Sequence, residues 1–111
     1  MALNYVQPGK TGKLPVPADS LSGDPQLVGD LAVVQLEDEK DGEAMCGLED
    51  VYSLDVTGED DAGNVAMSAG EKVYWDGGTL NADATNGTFF GHLLDPVGSG
   101  ATENVRVRLK Q

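Results

Sequence analysis

Residues 71–80 read EKVYWDGGTL, and this stretch decides the fold class. In an extended chain, successive side chains point to opposite faces, so Val73 and Trp75 share one side while Lys72, Tyr74 and Asp76 share the other. Asp76-Gly77-Gly78 then supplies turn chemistry, and a short second strand around Thr79–Leu80 follows. Trp75 is the single tryptophan of the chain, and no catalytic-looking residue stands beside it. The stretch reads as scaffold: a core-facing strand and its turn.

Working outward, the same signature recurs. TFFGHLL (88–94) is a further strand. The terminal VRVRLK (105–110) is the clearest of all, with Val105, Val107 and Leu109 on one face and Arg106, Arg108 and Lys110 on the other. Upstream, Tyr52, Leu54 and Val56 alternate with Val51, Ser53 and Asp55. Gln26–Val28 and Leu31–Leu36 are brief Val-rich runs bounded by Gly23-Asp24-Pro25 and Gly29-Asp30. Runs this short, bounded by turn residues, favour strand over helix. Helical periodicity is limited to one turn near Met67–Gly70, and no internal repeat is present. Together these predict an all-β protein: a small antiparallel β-barrel or β-sandwich of about six to eight short strands. Pro8, Pro15 and Pro17 break regular structure at the start, so residues 1–17 read as an extended Pro-rich N-terminal arm and residues 18–111 as a single barrel-like domain.

A chain of 111 residues fits one domain. So small a domain leaves much surface unburied, and docking on a partner is a natural way to bury more. With 15 glycines, 5 prolines and only 1 Trp, 3 Tyr and 2 Phe, the core must be built of Val, Leu and Ala. The net charge of −12, from 19 acidic and 7 basic side chains, excludes a nucleic acid as direct partner, since phosphate binding needs clustered Lys and Arg. It equally disfavours an anionic membrane surface. Met-Ala-Leu-Asn-Tyr lacks the basic and apolar regions of a secretion signal, and no apolar run reaches the roughly 18 residues that span a bilayer. Synthesis in a reducing cytoplasm is the expectation.

The candidate motifs for chemistry fail one by one. GKTGK (9–13) ends like a phosphate-binding P-loop, but the motif needs a glycine where Asn4 stands, and Leu14-Pro15-Val16-Pro17 cannot open the required helix. The acids Glu37, Glu39 and Asp41 fit the first positions of a calcium loop with Gly42 at its glycine, yet Leu48 occupies the place of the bidentate glutamate. Between Glu37 and Asp61 the chain carries eleven acids against Lys40 alone, the composition of solvated loop tips. Weak cation binding and outward display both stay open for these loops. His92 is the sole histidine and Cys46 the sole cysteine, so neither a zinc set nor a disulfide can form within the chain. Cys46 reads as a small buried hydrophobe and His92 as a packing or surface residue. The serines sit in no nucleophile elbow. The prediction is a protein with no catalytic residues, no metal and no cofactor.

Four segments taken together resemble a known family: NYVQPG at 4–9, SGDPQLVGDLAVV at 22–34, AGEKVYWD at 69–76 and VRVRL at 105–109. In order and spacing they are similar to the capsid cement, or decoration, proteins of tailed bacteriophages, which sometimes carry a label of RecA/RadA-type recombinase. The acidic stretch 37–61 and FFGHLLDP depart from the usual family pattern. The recombinase label finds no support in the residues, given the missing P-loop and the charge. The resemblance implies a protein on the outer surface of the phage head, bound to the major capsid protein as a homotrimer at or near three-fold positions. It also implies that the chain clamps neighbouring capsid subunits. On that footing Asn4, Tyr5, Val6, Gln7 and Pro8 of the arm are candidate capsid contacts by strand addition, and Arg106 and Arg108 are candidates on the last strand. The alternative from another class is a head protein that displays its loops to host glycans or other receptors.

Overall fold

The computed structural model describes residues 11–111, and every described element is a strand, a turn or a loop. Eleven strands follow in order: β1 (Thr11–Pro15), β2 (Pro25–Val28), β3 (Leu31–Gln35), β4 (Glu43–Gly47), β5 (Val51–Thr57), β6 (Glu59–Asp60), β7 (Gly63–Asn64), β8 (Lys72–Asp76), β9 (Thr79–Asn81), β10 (Thr88–Leu93) and β11 (Thr102–Leu109). The all-β expectation holds. The count exceeds the expected range because β6, β7 and β9 are only two or three residues long.

Strands β10-β11-β5-β9-β8 close into a barrel, while β1-β4-β3-β2 form a separate antiparallel sheet and β6–β7 a minimal hairpin. The longest ladder joins β5 to β11, from Thr57↔Thr102 to Val51↔Arg108. Its alternation matches the sequence reading: Val105, Val107 and Leu109 are buried, and Arg106 and Arg108 are exposed. The barrel closes through one parallel pair, Val56↔Leu80, between β5 and β9.

The opening stretch behaves as its pattern demands. Val73 is fully buried, and Trp75 is half-buried against the same core, its indole N–H donating to the Pro25 carbonyl at 3.1 Å. Gly77 and Gly78 both hold positive φ, 63° and 102°, the geometry of the tight turns that match strand twist. Across the sheet, Phe89 pairs with Tyr74 but Gly91 pairs with Val73, so Phe90 is an inserted bulge residue. The bulge turns Phe90 wholly inward. Gly91 is required here by crowding: a Cβ would lie 2.1 Å from the Arg108 carbonyl oxygen.

Two cores result. The larger gathers the barrel interior, including Leu54, Val56, Val73, Leu80, Phe90, Leu93 and Val107, and extends to Ala32 and Val34 of β3. The smaller comprises Val16, Val33, Ala44 and Cys46. Strand β3 is therefore buried on both faces, which its uninterrupted Ala-Val-Val run allows. Gln35, also buried, satisfies its amide by accepting from Gln26 at 3.0 Å and donating to the Glu37 carbonyl at 3.4 Å. The Gln111 side chain stitches the lobes together, donating to the carbonyls of Ala32 and Leu48 and accepting from the Ala32 N–H.

Residues 44–56 divide into β4 and β5, and the acid-rich stretch read as solvated loop tips contains Glu59–Asp60, which form β6 of the β6–β7 hairpin. Of the segment read as an arm, residues 11–15 form β1, paired with β4 from Thr11↔Gly47 to Pro15↔Glu43. Thr11-Gly12-Lys13 of the P-loop-like motif thus lie in a strand. The turn near Met67–Gly70 is a tight one, closed by the Glu71 N–H donating to the Ser68 carbonyl at 3.1 Å.

Candidate interaction surface

Because the barrel interior takes every second side chain of β8, β10 and β11, their remaining side chains form one continuous outer face. Register places them in a row: Lys72 of β8 opposite His92 of β10, His92 opposite Arg108 of β11, and Arg108 opposite Val51 of β5. At the usual spacing between strands the row is about 14 Å long. Beside it sit Tyr74 and Phe89, ring centroids 6.2 Å apart. Phe89 meets His92 edge-on at 5.2 Å, and the Lys72 ammonium lies 5.5 Å from the centre of the Phe89 ring.

The electrostatics of this face are unusual for so acidic a chain. Lys72 and Arg108 stand two strands apart, about 10 Å, with His92 between them. Among the described residues, the one salt bridge joins Arg106 to Asp95. Arg106 donates to Asp95 from its backbone N–H at 3.0 Å, from Nε at 3.0 Å and from Nη2 at 2.9 Å. These bonds from Arg106, side chain first, hold the Asp95 carboxyl down at about 2. Arg106 is thus committed to its own loop. Lys72 and Arg108 have no such partner among the described residues. Glu71, next to Lys72, spends its carboxylate on the Ser68 N–H.

A cleft of about 360 Å³ opens at the Lys72–Tyr74 end of the face, lined by Asp60, Val65, Met67, Glu71, Lys72 and Tyr74 among others. A second, of about 290 Å³, separates Gly23–Pro25 of the sheet from Ser53–Asp55 and Asn104 of the barrel. The second cleft holds Ser53 beside Asp24 and Asp55, and among the described residues no hydrogen bond joins the serine hydroxyl to either carboxylate.

The acidic residues lie elsewhere and are put to structural use. Around the β3–β4 loop, Glu37 accepts from the Met45 N–H at 2.8 Å and Asp38 from the Ser22 N–H at 2.8 Å. Glu39 accepts from Asp19 at 3.1 Å and from Gly42 at 2.5 Å. Asp83 folds the β9–β10 connection, accepting from the Thr85 and Asn86 N–H groups and from the Asn86 amide; the Asn86 backbone bond is the largest cause of its lowered pKa. Cys46 is fully buried, and its thiol pKa is raised by that burial and then by the charge of Glu37. No group of three or more His, Cys, Asp or Glu side chains among the described residues is arranged to hold a metal ion.

Of the residues singled out from sequence, Arg106 and Arg108 stand side by side on β11, with opposite circumstances. Asn4, Tyr5, Val6, Gln7 and Pro8 lie outside the described residues. Sequence reasoning missed Lys72, Tyr74, Phe89 and His92 as members of one surface. The outward parity of Lys72 and Tyr74 was legible in EKVYWD, but the bulge at Phe90, which aligns Phe89 and His92 with them, was not.

The described residues thus form a closed barrel with an aromatic and basic outer face beside a four-stranded sheet. The chain belongs to the phage cement protein family, the match running over residues 6–109. That family is structural and non-enzymatic, and membership places the chain on the virion capsid. No curated protein and no solved structure matches it.

Proposed function

We propose that this chain binds the outer surface of the phage head and stabilises it by bridging neighbouring major capsid protein subunits, acting there as a homotrimer. The family match over nearly the whole chain carries this reading. Its physical basis is added contact area: an internally pressurised shell is held by every subunit boundary that a bound module spans. Two regions are proposed to supply that area. Asn4, Tyr5, Val6, Gln7 and Pro8 precede β1 by two residues in sequence, and β1 is an edge strand of the four-stranded sheet among the described residues, where strand addition to a neighbouring sheet has the right chemistry. Arg106 and Arg108 offer charge on β11, and Arg108 is the freer of the two.

The test is reconstitution. Heads lacking the protein are mixed with it, then heated or stripped of divalent ions, and released DNA is measured. Protection that saturates with added protein is the expected result. Unprotected heads, together with binding of the protein to host cells, would replace this reading with receptor display.

A further inference from the structure

The outer barrel face gathers Lys72, His92 and Arg108 in one cross-strand row, flanked by Tyr74, Phe89 and the 44%-exposed Val51. Arginine and aromatic side chains around a desolvatable centre are the composition of interface hot spots. What could cover it is present on the same chain. The β3–β4 loop and the start of β4 carry Glu37, Asp38, Glu39, Asp41 and Glu43, against Lys40 alone. This loop is already rigid, because Glu37, Asp38 and Glu39 each accept backbone N–H groups from their surroundings. A carboxylate has about four acceptor sites, so these bonds leave outward-facing capacity. An organised loop also loses little entropy on docking.

We propose that the outer face of β8, β10 and β11 docks the acidic β3–β4 loop of a second copy of this chain. The inference deepens the homotrimer reading and rests on it. Charge selects the geometry. Two chains of net charge −12 repel unless unlike surfaces meet. A two-fold contact centred on either patch would set basic face on basic face or acidic loop on acidic loop. A head-to-tail contact sets face on loop, and repetition of such a contact closes a ring.

The test is sedimentation of the full chain with matched charge variants, each first checked by circular dichroism for a native fold. Wild type associates at low salt, and raising sodium chloride to 0.5 M weakens association about tenfold or more. Lys72→Glu with Arg108→Glu abolishes it, as does Asp41→Asn with Glu43→Lys. The milder K72Q/R108Q pair weakens it without adding repulsion. Mixing the two variants that each abolish association restores it, because each offers the surface that the other has lost. A monomer at every salt concentration, association indifferent to salt or to these substitutions, or no rescue on mixing overturns the proposal. Head protection is scored separately. Variants that fail to associate but still protect heads refute the capsid role of the ring alone, whereas K72E/R108E chains that associate normally yet fail to bind heads assign the face to the shell and overturn the inference.

Discussion

The barrel and the four-stranded sheet are made from the same alphabet of short Val-rich strands, yet they hold themselves together differently. The barrel closes on itself and fills its interior with Leu, Val and a bulged Phe90. The sheet keeps two edges, β1 and β2, and owns a core of only Val16, Val33, Ala44 and Cys46. Ala32 and Val34 lean from the sheet into the barrel core, and Trp75 and Gln111 reach back. The sheet is thus a dependent layer and the barrel an autonomous one. In a protein whose work is adhesion, the dependent layer is also the one with pairing edges to offer.

The sharpest break of that comparison is a core truncation in each lobe. Phe90→Ala empties a fully buried site in the barrel and should cost about 3–5 kcal/mol, enough to threaten the whole fold. Val33→Ala, equally buried but in the smaller core, should cost about 2 kcal/mol. Urea titrations of both variants measure the difference. Equal losses would show that the lobes share one core and that the distinction is empty.

Cys46 makes the sheet's dependence directly measurable. The thiol is buried and its pKa is raised, so the native protein should resist alkylation until the sheet opens. If the sheet opens ahead of the barrel, Val33→Ala should speed labelling by up to about 30-fold while the barrel stays folded. Labelling that appears only at global unfolding would merge the two regions into one cooperative unit.

How much of this was legible beforehand follows the same division. The barrel strands β5, β8 and β11 announce themselves because each buries one face, so apolar and polar residues alternate strictly. Strand β3 reads as a bare apolar run because both its faces are covered. Strand β4, EAMCG, offers Gly and small residues with a weak alternation, and its boundary with β5 is set by pairing rather than by local pattern. Strand β1 contains Gly12 and Pro15 and pairs far along the chain with β4, so its proline content spoke for an arm. The interaction surface was half-visible. Parity gives Lys72 and Tyr74, but bringing Phe89 and His92 beside them depends on a one-residue bulge and on which strands are neighbours. The pairing of Arg106 with Asp95 depends on the fold of the 94–101 loop.

A smaller effect probes the joint between the regions. Trp75→Phe keeps most of the ring in place but removes the indole donor to the Pro25 carbonyl, leaving that partly buried oxygen unpaired. The expected loss is about 1 kcal/mol. Its signature should be faster Cys46 alkylation, because the bond joins β8 of the barrel to β2 of the sheet. A loss of stability without faster labelling would place the weakness inside the barrel.

The smallest expected effect lies on the barrel surface and carries a definite sign. Asp95 titrates at about 2 in the folded chain against an ordinary 3.8, through its bonds from Arg106. A depressed carboxylate stabilises the fold at pH values above its unfolded value and loses that contribution as pH falls through the folded one. The difference in melting temperature between wild type and Asp95→Asn should therefore be steady above pH 4 and shrink between pH 4 and pH 2. The pair is exposed, so the difference should be small and should also diminish with added salt. A gap that does not shrink on acidification would mean that Asp95 does not hold Arg106, and Arg106 would then rejoin Arg108 as a free charge on the docking face.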